Sequence, residues 1–343
     1  MATTPPDGVI TLRNSIGENG NLPRTYTAGS PDIIVSGKLP FEDPSILEKA
    51  DNYDKSYDNT LYIGFPNYLY VRGKNFGTQK VDGSWNLYWS TPNILLYPYL
   101  WEANQLATSD GNQDPTFSLA PGAIGASTNA FTWVPPDTQD HYCMIAVAKS
   151  PNFPNPLAGV RNVSSLAATM ADNANIAQRN LQLVRGNVPQ VVSSAAYAQG
   201  DEPQTMDIAV LLKNLPKGSS WSAASGTLLN GVTLQHAESN TQVNNFKYAW
   251  SDLNVPAQWQ TMFSYTMAFG SDWSGIPDGA KPELTIRGEI AMTSTHALYN
   301  HPAARLAEPH LLTGEARMCK AGNPIKLMIA GTVTTRCPDI ERR

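Results

Sequence analysis

The sequence predicts an all-β chain, built as two tandem β-sandwiches behind an irregular N-terminal segment. Three observations carry that expectation. Segments such as TLYIGF and YLYVRGKN alternate apolar and polar positions, the period of a half-buried strand. Short strand-like runs are punctuated by Gly, Pro, Asn and Asp at the spacing a sandwich needs. Charged residues are only 15% of the 343, against about 25% in ordinary soluble domains. Asn, Ser, Thr, Gly and Pro take their place, a composition suited to strands and turns.

Residues 1–57 read as an irregular lead-in that docks on the first domain. It contains TPPDG, ENGNLP, TAGSPD and LPFEDPS, with short strands expected at Val9–Leu12 and Ile33–Ser36 and one helical turn in SILEKADNY. Residues 58–155 read as that first domain, an immunoglobulin-like sandwich. In YLYVRGKN, alternation sends Leu69 and Val71 to one face and Tyr68, Tyr70 and Arg72 to the other. In SWNLYWS, Trp85, Leu87 and Trp89 share the natural inward face, opposite Asn86 and Tyr88. Gly77 and Gly83 mark two expected turns between these strands, Asp82–Gly83 being the stronger hairpin signal. Pro98 breaks NILLYPYLW and demotes it to an edge or loop. TFSLAPGAIG, NAFTWVPP and HYCMIAVAKS complete this domain.

The proline-rich PNFPNPLAG places a boundary, and residues 156–200 form a linker with a short helix expected in SSLAATMADNANIAQRN. Residues 201–343 carry a second strand set: TMDIAVLLKNLPKG, GTLLNGVTLQHAE, FKYAWSDL, WQTMFSYTMAFG, ELTIRGEIAMTST and IKLMIAGTVTT. HALYNHPAARLAEPHLLTG interrupts it as a loop or short helix. No repeat of solenoid or propeller period is present.

Several function classes are disfavoured. A net charge of -5 without basic runs lacks the electrostatic footprint of a nucleic-acid binder. No run approaches the ~20 apolar residues of a membrane-spanning helix. The N-terminus MATTPPDGVITLRNS has neither the basic nor the apolar region of a secretory signal. Synthesis in the cytoplasm is expected, with any export by a route other than Sec. Phosphate-loop, dinucleotide, zinc-protease and nucleophile-elbow motifs are missing, and no cofactor is expected. Cys143, Cys319 and Cys337 form no CxxC pair; Cys319 and Cys337 flank a strand-like stretch and are read as reduced thiols in preference to a cross-hairpin disulfide.

Metal ligation has few candidates. His296, His301 and His310 fall in one segment, and imidazoles suit zinc or copper, but the spacing is irregular. Asp110–Asp114, DGNQD, has the alternate oxygens of a calcium loop, with Pro115 where that loop needs Gly. Asp207 and Glu289 are strand carboxylates without an evident catalytic partner. The remaining binding candidates are Tyr70, Arg72 and Tyr88, as an outward patch opposite the core faces; the eight Trp and fourteen Tyr supply aromatic surface in general.

The motif order also resembles a known family. Ser30-Pro31-Asp32-Ile33 is followed by Tyr70, Val71, Arg72, Asn75 and Gly77, then by Trp133-Val134-Pro135-Pro136, by His141-Tyr142-Cys143, and by Asn175, Ile176, Ala177, Arg179 and Asn180. This succession, over residues 30–181, resembles the CARDB-like immunoglobulin-type modules of bacterial surface and secreted proteins. The resemblance implies an immunoglobulin-like sandwich and an accessory or adhesion role, and it makes Cys143 a buried late-strand cysteine. The FEDPSILEKADNYDKSYDN stretch is an insertion relative to that pattern. The function expected is therefore non-enzymatic binding or adhesion with a protein or glycan partner. A metal-dependent hydrolase or toxin centred on the C-terminal histidines, and a structural component of a phage-like or secretion assembly, are the alternatives. The oligomeric state is not set by the sequence.

Overall fold

The computed structural model describes residues 4–25, 27–57, 60–136, 141–183, 190–239, 241–242, 244–308, 317–318 and 322–336. The chain divides into two compact units. The first comprises Met1–Thr91, Leu96–Val160 and Ala168–Val184; the second comprises Pro92–Leu95, Arg161–Ala167 and Arg185–Arg343. The division is thus not one cut in the chain. Cys319, Cys337 and His310 lie outside the described residues.

Among the described residues the first unit holds nine strands: β1 (Ile33–Gly37), β2 (Thr60–Leu61), β3 (Asn67–Lys74), β4 (Val81–Ser90), β5 (Thr116–Leu119), β6 (Ile124–Ala126), β7 (Phe131–Trp133), β8 (His141–Lys149) and β9 (Ile176–Leu183). One sheet runs β1-β3-β6, with β7 also paired to β3; the other runs β2-β9-β8-β4-β5. Their facing sides share one core: Ile33, Leu69, Val71 and Phe131 from the first sheet, Trp85, Leu87, Tyr142, Met144 and Leu181 from the second. Leu69 and Val71 are inward, as alternation requires, and so are Trp85 and Leu87, with Trp89 packed at the margin. The lead-in does more than dock, because β1 pairs with β3 and Ile10 and Leu12 enter the core. Val9–Leu12 contributes only an isolated bridge, Thr11 to Lys74. SILEKADNY folds as a 3-10 turn, Pro44–Glu48, followed by α1 (Ala50–Tyr53).

The two glycines expected to mark turns behave differently. Gly77 sits in a turn, its N–H donated to Asn75 Oδ1 at 2.9 Å. Gly83 lies inside β4, opposite Phe117 of β5. A Cβ there would stand 2.0 Å from the Lys149 carbonyl oxygen. Asp82–Gly83 is therefore a close backbone approach inside a strand, not a hairpin turn.

α2 (Val163–Asp172) covers the start of SSLAATMADNANIAQRN, and β9, which follows it, belongs to a sheet of the first unit. The second unit follows with β10 (Gln190–Ala198), β11 (Gln204–Lys213), β12 (Ser220–Ser225), β13 (Gln235–Glu238), β14 (Phe246–Val255), β15 (Gln260–Ala268), β16 (Glu283–Met292), β17 (Arg305–Leu306) and β18 (Lys326–Arg336). One sheet is ordered β10-β15-β12-β13, the other β14-β11-β16-β18-β17. Met206, Ile208 and Val210 on β11 and Leu284, Ile286 and Ile290 on β16 are fully buried, as are Phe263, Tyr265 and Met267 on β15. Contacts between the sheets close this sandwich: Trp250 and Phe263 have ring centroids 5.8 Å apart, and the Tyr265 and Thr335 hydroxyls are 2.5 Å apart. The all-β expectation of two tandem sandwiches is the architecture observed. Among the described residues no helix is long and apolar enough to cross a membrane.

Candidate functional site

The three residues expected to form an outward patch are all buried. Tyr70, Arg72 and Tyr88 are 1%, 0% and 4% exposed. Alternation puts them on the non-core faces of β3 and β4, but other segments cover those faces. Tyr70 packs in a second cluster with Ile34, Leu47 and Phe41, and its hydroxyl accepts from the Phe41 N–H at 3.2 Å. Tyr88 stacks obliquely against Trp101, centroids 5.0 Å apart. Arg72 donates through Nε to Asp32 Oδ1 at 3.2 Å, and through its terminal nitrogens to the carbonyls of Asn52, Tyr53 and Pro31. The insertion that begins at Phe41 builds this cover over Tyr70 and Arg72, the stretch around Trp101 builds it over Tyr88, and a strand read in isolation gives no sign of either.

The motif residues that carry the family resemblance are likewise occupied in holding the fold. Asp32 also accepts from Arg13, at 2.8 Å from Nη2 and 3.1 Å from Nε. The Arg13 guanidinium lies 3.4 Å from the Tyr53 ring centroid, and burial pushes the Tyr53 hydroxyl pKa upward. Arg179 donates to the Ile33 and Tyr57 carbonyls. Asn75 donates to the Gln79 and Leu119 carbonyls, and Asn175 to those of Ala148, Phe153 and Pro154. Each satisfies backbone groups that a turn or bulge would leave unpaired.

The two described histidines of the expected cluster form turns. His296 Nδ1 accepts the Leu298 N–H at 3.1 Å, and His301 Nδ1 accepts the Ala303 N–H at 3.2 Å. His296 is half-buried, which lowers its pKa. Among the described residues no group of three or more His, Cys, Asp or Glu is placed to hold a metal ion. In the Asp110–Asp114 loop, Asp110 accepts from the Thr108 hydroxyl and the Asn129 amide, which ties the loop to its surroundings.

Side chains with spare capacity converge in the second unit, in a recess of about 740 Å³ running along β14. β14 is an edge strand of its sheet, and β13 is an edge strand of the other. Phe246, Tyr248 and Trp250 alternate along β14 and so share one face. The His236 ring from β13 lies flat on Tyr248, centroids 3.7 Å apart and planes 16° apart. Trp221 stands next to the His236 ring at 5.2 Å, and Trp250 meets Tyr248 edge-on at 5.2 Å.

The polar rim is supplied by β11, β13 and β14 and by Glu308 and Arg317 from outside the strands. Asp207 of β11 is buried and receives both terminal nitrogens of Arg317; Arg317 Nη2 also donates to Asp252 at 2.8 Å. Asp252 has a left-handed backbone, φ +57°, and its N–H is donated to Asp207 at 3.0 Å. That conformation belongs to a bulge between β11 and β14, which swings the Asp252 carboxylate toward Arg317. Lys247 donates to Glu308 at 2.9 Å, and this bond lowers the Glu308 pKa. Glu238 lies 3.8 Å from His236 Nε2. Asp207 is the cross-strand partner of Glu289, which is buried between Arg287 and Arg305. Both carboxylates are counter-ions to guanidinium groups, a role unlike that of a general acid or base.

FKYAW is legible as a strand, and its aromatics at every second position are the available signal. The pairing of β14 with an imidazole from β13 depends on which strands end at the sheet edges, and the local pattern does not encode that order.

No family model matches the chain, and no curated protein matches it. Similar solved structures include the transglutaminase of red sea bream, at 11% identity and a TM-score of 0.21 over 66% of this chain; the match spans only 27% of the transglutaminase. CBD12 of CALX1.2 is similar at 9% identity and a TM-score of 0.19, over 81% of this chain and 96% of that one. The Enterococcus faecalis MSCRAMM ACE, described as binding its ligands by a collagen hug, is similar at 8% identity and a TM-score of 0.21, over 82% and 92%. At these TM-scores no residue correspondence can be carried across.

Proposed function

We propose that this chain is a non-enzymatic binding protein whose recognition site is the recess along β14. One observation carries the proposal: half-buried aromatic rings and exposed carboxylates converge on a single concavity of about 740 Å³, within the ordinary range of ligand sites. Among the described residues, Tyr70, Arg72, Asp110 and Glu289 are committed to internal bonds. The motif order that resembles CARDB-like modules supports an accessory role for the first sandwich, which would present the second to its partner.

The test is capture of surface and matrix components by the immobilised full-length chain, beside Tyr248→Ala and Glu238→Ala. The expected result is a saturable partner, protein or glycan, retained by the unmodified chain and lost by both variants. Equal retention by all three would move recognition away from the recess.

A further inference from the structure

The recess combines two kinds of unmet polar capacity. Arg317 and His236, which line it, have buried guanidinium and ring nitrogens, Nε and Nε2, with no hydrogen-bond partner among the described residues. Glu238, Asp252 and Glu308 hold exposed carboxylate surface at its rim, 41%, 48% and 58% by side chain. The cations paired with Asp252 and Glu308 are less accessible, Arg317 at 7%, Lys247 at 23% and Arg305 at 38%.

Three ligand classes can be compared against this arrangement. A cationic peptide would satisfy the carboxylates with its ammonium groups but could meet Arg317 Nε, which can only donate, through its backbone carbonyls alone. An anionic ligand would meet that donor but face three exposed carboxylates. A neutral polyhydroxylated ligand does both, because each hydroxyl is at once donor and acceptor. Its ring also presents a C–H face that stacks on aromatic side chains, and Phe246 and Tyr248 are half-buried on one side of one strand.

We propose that the recess along β14 binds an uncharged oligosaccharide, stacked on Tyr248 and Phe246 and hydrogen-bonded to Glu238, Asp252 and Arg317. This rests on the recess being the recognition site and adds the chemical class of its ligand.

The experiment is calorimetric titration of the full-length chain with maltohexaose, cellohexaose, chitohexaose and mannohexaose, and, as charged comparators, a heparin hexasaccharide and a hexalysine peptide. Tyr248→Ala and Glu238→Gln are the test variants, and Lys80→Ala, exposed in the first unit, is the control. Circular dichroism establishes that each variant is folded; Glu238 is exposed enough that its variant keeps the test open if Tyr248→Ala unfolds. The expected result is binding of at least one neutral hexasaccharide. Tyr248→Ala should weaken it roughly tenfold, the limit of one aromatic contact, with Lys80→Ala unchanged. Binding of only heparin or hexalysine, lost in the same variants, overturns the saccharide class and leaves the recess as the site. Neutral binding that ignores both variants overturns the recess as its location. No binding of any probe overturns the saccharide proposal, while the capture experiment still decides the broader function.

Discussion

Asp32 and Arg72, forty residues apart in the chain, meet in the interior with neither side chain exposed. The same carboxylate holds Arg13, so one buried anion serves two buried guanidinium groups, with Asp54 the exposed fourth member. The excess positive charge is spread over carbonyls: Arg72 and Arg13 both donate to the Tyr53 oxygen, and Arg72 also to those of Asn52 and Pro31. Such a cluster is stable only while every member is paired.

Asp32→Asn should therefore cost roughly 3–5 kcal/mol, because it takes the carboxylate from buried Arg72 and leaves buried Arg13 with only the exposed Asp54. Asp54→Asn, at 67% exposure, should cost less than about 1 kcal/mol. Urea unfolding of the two variants measures the difference. Comparable losses would show that Asp54 carries a share of the pairing that its exposure does not suggest.

Close backbone approach predicts two further sensitive sites. A Cβ on Gly331 would stand 1.8 Å from the Ile94 carbonyl oxygen, and one on Gly83 would stand 2.0 Å from that of Lys149. Neither obstacle is a side chain that can rotate away. Gly331→Ala and Gly83→Ala should each destabilise by at least about 1–3 kcal/mol. Gly111→Ala meets nothing within 4 Å, and its cost arises only from its positive φ of 84°. Thermal unfolding of all three should rank Gly111→Ala as the mildest.

Arg317 is the sole side-chain cation paired with Asp207 among the described residues, and both are buried. Arg317→Ala leaves that carboxylate uncompensated, and a loss of roughly 3–5 kcal/mol is expected. Combining it with Asp207→Asn should restore much of the loss, since a neutral amide costs less to bury than a charge. A double-mutant cycle by chemical denaturation checks this; simple additivity of the two losses would mean that the pair is not coupled.

Strand alternation locates the core faces of β3 and β4 because a sandwich core is a local two-residue pattern. It fails for Tyr70, Arg72 and Tyr88 because their burial comes from segments distant in sequence, the insertion around Tyr53 and the stretch around Trp101. Asp-Gly carries a turn signal at Gly83, whereas the actual constraint there is a neighbouring strand's carbonyl. The recess is hidden from the sequence for the same reason. His236 and Tyr248 are on different strands of different sheets, and only the tertiary order of edges brings their rings within 3.7 Å.

His141, at the start of β8, provides the pH prediction. It is fully buried, and desolvation of the imidazolium depresses its pKa to about 3. Unfolded, it titrates near the ordinary value of about 6.5. Between these two values the unfolded chain binds a proton that the folded chain refuses, so stability rises with pH across that window and is lost as pH falls below about 6.5. At pH 4.5 this one group should have removed roughly 2–3 kcal/mol relative to neutral pH. His141→Gln, which cannot titrate, lacks that component whatever its own cost at neutral pH. Urea unfolding at pH 7 and pH 4.5 should show a pH-dependent loss in the native chain exceeding the variant's by that amount. Equal losses would mean that His141 accepts its proton without unfolding, and that its burial is less complete in solution than its position in β8 implies.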